Sequence, residues 1–470
     1  MVRSTTAFGM IPSILCLLTA TAAAQVVKSP LPPESLLDRH GLTRMWFGQA
    51  TMNSSRDKLQ YLTVDEERAY VQTSSGIVSA FDAESGKRLW ATTVGVADRP
   101  NFPITFDDEW LYVINGASLF GVKKTNGDVM WEVRLPGAPS ASPSPSDKQI
   151  YVGFLDGSVY AFQMKKITGE GLASRRASIS KREAEVSTSK MPTSIEGLNE
   201  DGLLPEWGYR SLLWRYKTSA RIVAPPVPIG DRLLFVSENG TMYHVNRMTR
   251  DLVYRFKTRA TVSAPLATYR STALVASEDL TLYSVDIARG NVRWQYVAGR
   301  PIQRPPLVVR DEVYLTPNRG GMLRLSADRG DDPAVFWQQP LVEDFVSASP
   351  DRVYATDSRQ NLVILARQTG SELGVLPLPR FSKYFQNTRT DRLYLATEGG
   401  LVIALRETGR EFPFAHAEVD RQPVMPTFTP ESEAAGTGDA GDSATPPPAP
   451  APDSDTESKP EPEPKSDSNP

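Results

Sequence analysis

The sequence predicts an all-β fold: an eight-bladed β-propeller of four-stranded antiparallel blades, with the last blade closed by the N-terminal strand. Three observations predict it. The stretch SAFDAESGKRLW (79 to 90) recurs along the chain, its aromatic residue returns at intervals near 40 residues, and the two ends hold complementary fragments of one further unit.

The recurrences are GVKKTNGDVMW (121 to 131), HVNRMTRDLVY (244 to 254), SVDIARGNVRW (284 to 294), RLSADRGDDPAVFW (324 to 337), ILARQTGSELGV (364 to 375) and ALRETGREF (404 to 412). Trp90 to Trp131 spans 41 residues, Trp214 to Tyr254 and Tyr254 to Trp294 span 40 each, and Trp294 to Trp337 spans 43. Trp131 to Trp214 spans 83, which one insertion at 165 to 210 explains.

Each unit reads as four strands. An inner strand of small residues and prolines (SASPSP, APPVPI, SAPLAT, RPPLVV) precedes an apolar strand (AYVQT, QIYVGF, RLLFVSE, EVYLTP). The turns LDGS, ENGT, NRGG and TEGG carry Gly or Asn for the positive φ of a two-residue hairpin. A third, alternating strand (VSAFD, SVYAF, TMYHV, TLYSV) then leads through the Gly turn to the outer strand with its aromatic. That ring supplies the apolar area by which one twisted sheet packs on the next.

At the end of the repeats, SKYFQNTRTDRLYLATEGGLVIALRE stops without an aromatic outer strand, while RMWFGQA near the start is an orphan whose Trp46 precedes the first inner strand at Leu59. Joined, they complete an eighth blade and remove an exposed sheet edge. Seven blades with a separate N-terminal strand is the alternative. The expected blade-packing aromatics are Trp46, Trp90, Trp131, Trp214, Tyr254, Trp294 and Trp337.

Residues 1–24 combine Arg3, an apolar run from Ile11 to Leu18 and the small residues Ala22, Ala23 and Ala24, the pattern of a secretory signal peptide too short to span a bilayer. Residues 25–42 read as a leader with a short helix, 43–416 as the propeller, and 417–470 as a disordered Pro-rich acidic tail. The formal charge of -3 divides into +1 for residues 1–24, -8 for residues 431–470 and +4 for the chain between them. That scattered excess is unlike a nucleic-acid-binding stripe. The single cysteine, Cys16, lies in the expected signal, so the mature chain would hold no disulfide, thiol nucleophile or thiolate-bound metal.

The pattern AFDAESGKRLW and its copies resemble the pyrroloquinoline-quinone-like (PQQ-like) propeller repeat over roughly residues 42–415. That repeat builds quinoprotein dehydrogenases and a non-catalytic lipoprotein of outer-membrane protein assembly. The resemblance implies a propeller and leaves the activity to be argued from a site. The copies depart at Arg250, which replaces the turn glycine, at Tyr254, which replaces Trp, and near Gly370, where the aromatic is missing. Family enzymes hold calcium beside the quinone and often a vicinal cysteine pair, and this sequence has no such pair. Asp82 and Asp286 sit where a short acceptor orders the turn. His40, His244 and His416 lack partners at metal-ligand spacing, and no nucleophile elbow or phosphate loop is present.

We therefore expect no catalytic residue, no cofactor and no metal. The expected product is a monomeric scaffold in the periplasm or cell envelope that binds protein partners, with the resemblance pointing to components of envelope assembly. A ligand- or PQQ-dependent oxidoreductase and a carbohydrate or wall-polymer binder are the alternatives. The candidate partner-binding residues lie in the connections between blades: Arg99, Arg221, Arg259, Arg300, Arg304 and Arg380, with Lys383 beside them. All precede inner strands, so they should collect near one mouth of the channel as a cationic collar for acidic groups, interrupted by Glu343 and Asp344. The insertion at 165 to 210 begins basic, Ser-rich and poor in large apolar residues and should be flexible; the alternative is a docking arm anchored by LLPEWGY (203 to 209), which offers apolar bulk.

Overall fold

The computed structural model describes residues 31–53, 55–147, 149–163, 212–328 and 335–416. The expected signal peptide, the insertion with its LLPEWGY segment and the acidic tail lie outside the described residues.

Eight four-stranded antiparallel sheets form the propeller. Blade 1 runs outward through Leu59–Val64, Arg68–Thr73, Ile77–Asp82 and Arg88–Thr93. Its second and third strands are buried on both faces, because each face meets a neighbouring blade, whereas the outer strand alternates between exposed and buried residues. The hydrophobic core is correspondingly a set of seams. One joins Ala69, Val71 and Phe81 of blade 1 to Tyr394, Val402 and Ala404 of blade 8. Another joins Leu274 and Leu282 of blade 5 to Val313 and Leu323 of blade 6.

Blade 8 closes the ring. Leu42–Gln49 pairs antiparallel with Leu401–Glu407, placing Phe47 opposite Ile403 and Gln49 opposite Leu401, and its order from the rim inward is first strand, last strand, Leu393–Ala396, Lys383–Tyr384. Eight blades, with the earliest described strand outermost in the last one, is the arrangement expected.

The turn glycine has a second role that the repeat pattern conceals. Four of the outer-strand aromatics reach the turn after the third strand of the next blade. Trp46 Nε1 donates to the Ala83 carbonyl at 2.7 Å, Trp90 Nε1 to Lys124 at 2.9 Å and Trp337 Nε1 to Arg367 at 2.8 Å, while Tyr254 Oη donates to Ile287 at 3.0 Å. The ring then covers that turn's glycine. A Cβ on Gly86 would stand 2.5 Å from the Trp46 ring, and one on Gly290 or Gly370 would stand 2.6 Å from Tyr254 or Trp337. Positive φ (71°, 76° and 70°) requires glycine there as well.

Within a blade, the third-strand residue opposite the aromatic is matched to its size. Trp46, Trp90 and Trp214 face Ala404, Ala80 and Ala161, and Trp131 faces Gly121. The smaller Tyr254 faces His244, in edge-to-face contact at 4.8 Å. Blade 7 has no outer aromatic: Gly374 faces Ile364, and a Cβ on Gly374 would meet the His40 ring at 2.9 Å. That histidine caps the helix Glu34–Arg39, whose Leu37 is buried in the blade 7–8 seam, and Arg352 Nη1 donates to its carbonyl at 3.0 Å.

Two local expectations need correction. ENGT and LDGS are three-residue loops, not two-residue ones: Ser237 pairs with Thr241, and only the last loop residue, Gly240, has positive φ. A type I turn followed by one left-handed residue fits this geometry. The inner strands are also shorter than read, reduced to Ser144–Pro145 and Val227–Ile229, because proline cannot donate to the ladder. At the departed copy, Arg250 itself adopts φ 69° where glycine would stand.

Trp46→Ala should lower unfolding stability by about 3–5 kcal/mol, measured by urea denaturation. Gly86→Ala and Gly299→Ala start from the same φ of 71°, but only at Gly86 is a neighbouring ring in the way. Gly299→Ala should cost about 1 kcal/mol and Gly86→Ala distinctly more. Equal losses would show that the glycine serves backbone conformation alone.

Candidate functional site

In blades 2, 4, 5 and 6 the connection entering the blade hydrogen-bonds to that blade's second-to-third hairpin, which fixes one face of the ring. Gly116 N–H donates to the Pro100 carbonyl at 2.8 Å, Glu238 to Arg221 at 2.7 Å, Glu278 to Thr261 at 2.9 Å and Asn318 to Pro301 at 2.8 Å. Arg99, Arg221, Arg259, Arg300 and Arg304 belong to these connections, and Arg380 to the one entering blade 8.

Their electrostatic settings differ. Arg221 is exposed and bidentate on Glu238, its Nε donating at 2.7 Å, and this hydrogen bond holds the Glu238 carboxyl below its ordinary range. Arg304 pairs with Asp344 at 2.7 Å, and the other oxygen of Asp344 accepts from Tyr384 Oη at 2.6 Å. Asp344 therefore bridges blade 6 to blade 8 and compensates an arginine of the collar. Arg99, Arg259, Arg300 and Arg380 are exposed and make no ion pair among the described residues. Between them, Glu278 accepts from Ser263 at 2.9 Å and from Gln303 at 3.3 Å, and Gln303 accepts from Asn318 at 3.3 Å. The face thus carries exposed cations set among acids that are already engaged.

The aspartates read as turn formers do that work. Asp82 Oδ1 accepts from Ser85 N–H at 2.7 Å, and Asp286 Oδ1 accepts from Ala288 and Arg289 N–H at 2.9 Å each. His244 is buried, and burial lowers its pKa; neither ring nitrogen has a hydrogen-bond partner among the described residues. No group of three or more His, Cys, Asp or Glu residues able to hold a metal occurs among the described residues.

The opposite face holds groups that sequence reading did not single out. Glu312 is buried with Arg324 and Arg367 on its two oxygens, and Tyr314 donates to it at 2.7 Å. Burial alone would raise the Glu312 carboxyl, but the hydrogen bonds from Arg324 and Tyr314 and the Arg367 charge bring it below its ordinary value. Arg324 lies opposite Trp337, where the other outer-strand tryptophans face a small residue, and this departure was its one visible signal. Beside this group His416, 4 % exposed, donates from Nε2 to the Ala348 carbonyl at 2.7 Å.

A family model described as outer membrane protein assembly factor BamB matches residues 74–170 and 210–376. The outer membrane protein assembly factor BamB of Moranella endobia (strain PCIT) is 29% identical over 109 residues, covering 21% of this chain and 28% of that relative's length. Among solved structures, BamB from Moraxella catarrhalis matches with a TM-score of 0.56 at 14% identity, covering 78% of this chain and 97% of that one. The computationally designed protein Ika8 matches with a TM-score of 0.52 at 10% identity, over 74% and 96%. At these identities the two structural matches establish the fold.

Burial holds the His416 imidazole at about 4, below the ordinary 6.5, with Arg367 and Arg310 opposing its protonation and Glu312 favouring it. Between those values the folded state keeps it neutral while the unfolded chain binds a proton. Stability should therefore fall as pH drops from about 6.5 toward 4, by up to about 3 kcal/mol. His416→Gln should flatten that part of the pH profile in urea unfolding, and an unchanged slope would assign it to other groups.

Proposed function

From a chain that belongs to the family described as outer membrane protein assembly factor BamB, we propose an exported, non-enzymatic propeller that presents its faces to protein partners during envelope assembly. The family match carries the reading. The geometry supports it: a rigid ring with one face of connection loops offers a broad platform, and its exposed arginines suit an acidic partner loop.

The four arginines without an ion pair among the described residues, Arg99, Arg259, Arg300 and Arg380, are the proposed contact groups. A planar guanidinium takes carboxylates in a bidentate manner, and exposed charges of this kind act chiefly on encounter rate and register. Arg221 and Arg304 enter as supports, already oriented by Glu238 and Asp344. Binding of this kind weakens with salt, because the charges are in water.

Chemical cross-linking of the full chain in envelopes, followed by capture, should recover a component of outer-membrane β-barrel assembly, and cells without the protein should hold fewer barrel proteins. Unchanged barrel levels together with no such component would overturn the proposal. With the captured component in hand, the combined Arg99→Glu, Arg259→Glu, Arg300→Glu and Arg380→Glu variant should bind about tenfold or more weakly, corresponding to ~1.4 kcal/mol. Unchanged binding by this variant would remove the arginine face and leave the assembly role standing.

A further inference from the structure

We infer that the mouth of the channel opposite the arginines is closed by a plug built from the inner loop of blade 8 and the segment that follows its last described strand. Entry to the channel is then from the arginine face.

The loop lies between Lys383–Tyr384 and Leu393–Ala396 and replaces the tight turn found in other blades, such as the one between Val227–Ile229 and Arg232–Ser237. Its shape is fixed internally. Asn387, 3 % exposed, accepts at Oδ1 from Arg389 and Thr390 N–H at 3.1 and 3.0 Å and donates from Nδ2 to the Arg392 carbonyl at 2.9 Å. It is also tied to blade 7, where Asn387 N–H donates to the Val346 carbonyl at 2.7 Å and Ser347 Oγ donates to that of Thr390 at 3.0 Å.

The segment after Glu407 turns back onto this loop. Phe414 N–H donates to Asp391 Oδ1 at 2.9 Å, Asp391 N–H donates to the Phe414 carbonyl at 3.2 Å, and His416 N–H donates to the Arg389 carbonyl at 2.7 Å. Loop and segment therefore behave as one small sheet-like body anchored on blades 7 and 8.

Its two ends fix where that body lies. On one side the Arg389 guanidinium sits 5.4 Å from the centre of the Phe106 ring, the last inner-strand residue of blade 2. On the other side the Arg310 guanidinium, from the inner turn of blade 6, sits 4.7 Å from the centre of the Phe414 ring. In a ring of eight, blades 2 and 6 stand diametrically opposite. A body that springs from blade 8 and touches inner-strand ends of both has to cross the mouth. No single contact implies this; the pair of contacts does.

The test uses the full-length chain with Cys16→Ser as background. Arg389→Cys with Phe106→Cys, and Arg310→Cys with Phe414→Cys, should each form an intramolecular cross-link with a short bismaleimide. Failure of either pair to cross-link in a protein with unchanged circular dichroism overturns the plug. Closure is read separately at Thr63→Cys, near the plugged end of the blade 1 inner strand, using a maleimide on a polymer too wide for the channel. Modification should quicken about tenfold when Arg389→Gly and Phe414→Gly loosen the plug. A Gln60→Cys site, near the other end of that strand, should show no change. Equal rates at Thr63→Cys with and without the loosening substitutions overturn the closure, and neither result bears on whether the arginine face binds an assembly component.

Discussion

An aromatic ring laid on the glycine turn of the next blade is the contact on which the rest of this molecule depends. A four-stranded sheet cannot bury both faces alone, so each blade is stable only against its neighbours. The docked ring does three things at once. It buries a large apolar area, it satisfies its N–H or O–H on a carbonyl of the receiving turn, and it leaves space only for a hydrogen on the glycine beneath it. Because Trp46 makes this contact from blade 8 onto blade 1, the closing seam uses the same chemistry as the seams between blades 1 and 2, 4 and 5, and 6 and 7. The placement of the blades at these four seams follows from that repeated docking.

The departures from the repeat show how tightly the docking is coupled to its surroundings. Where tyrosine replaces tryptophan, histidine replaces the small residue across the strand pair. Where the aromatic is lost in blade 7, the opposing residue grows to Ile364 and a residue from outside the repeats, His40, moves against Gly374. Blade 6 is the costly case, since Arg324 takes a small-residue position and has to be compensated in the interior by Glu312. Burying such charges seldom adds net stability, but leaving one unpaired is severely destabilising. Glu312, Arg324, Arg367 and Tyr314 are thus bound to one another as a set, and with His416 beside them they favour a single arrangement of the blade 6–7 seam.

Much of the fold was legible because it is local and periodic. Strand order, blade number and closure all follow from short patterns that recur, and the orphan RMWFGQA was identifiable because the last unit lacked what it supplies. Turn type was misread because ENGT satisfies more than one turn, and the difference lies in which single residue takes the left-handed conformation. The candidate arginines were located on one face by topology alone. Their pairing was not, since Glu238 and Asp344 come from other loops and no periodicity links them to Arg221 and Arg304. The contacts of Arg389, Phe414 and His416 were invisible for the same reason: they join unrepeated residues across the ring, where a pattern has nothing to repeat.

Closing a ring with its first strand has a temporal side. Thr43 and Thr408 meet across 365 positions of sequence, so the seam that completes the ring joins segments far apart in the chain and can form only after both have been synthesised. Until then Leu401–Glu407 has no outer neighbour, and an open edge can also take the matching strand of a second molecule when the concentration is high. The architecture that stabilises this propeller as a finished ring thus makes crowding before closure its point of vulnerability, with strand-exchanged pairs as the competing product.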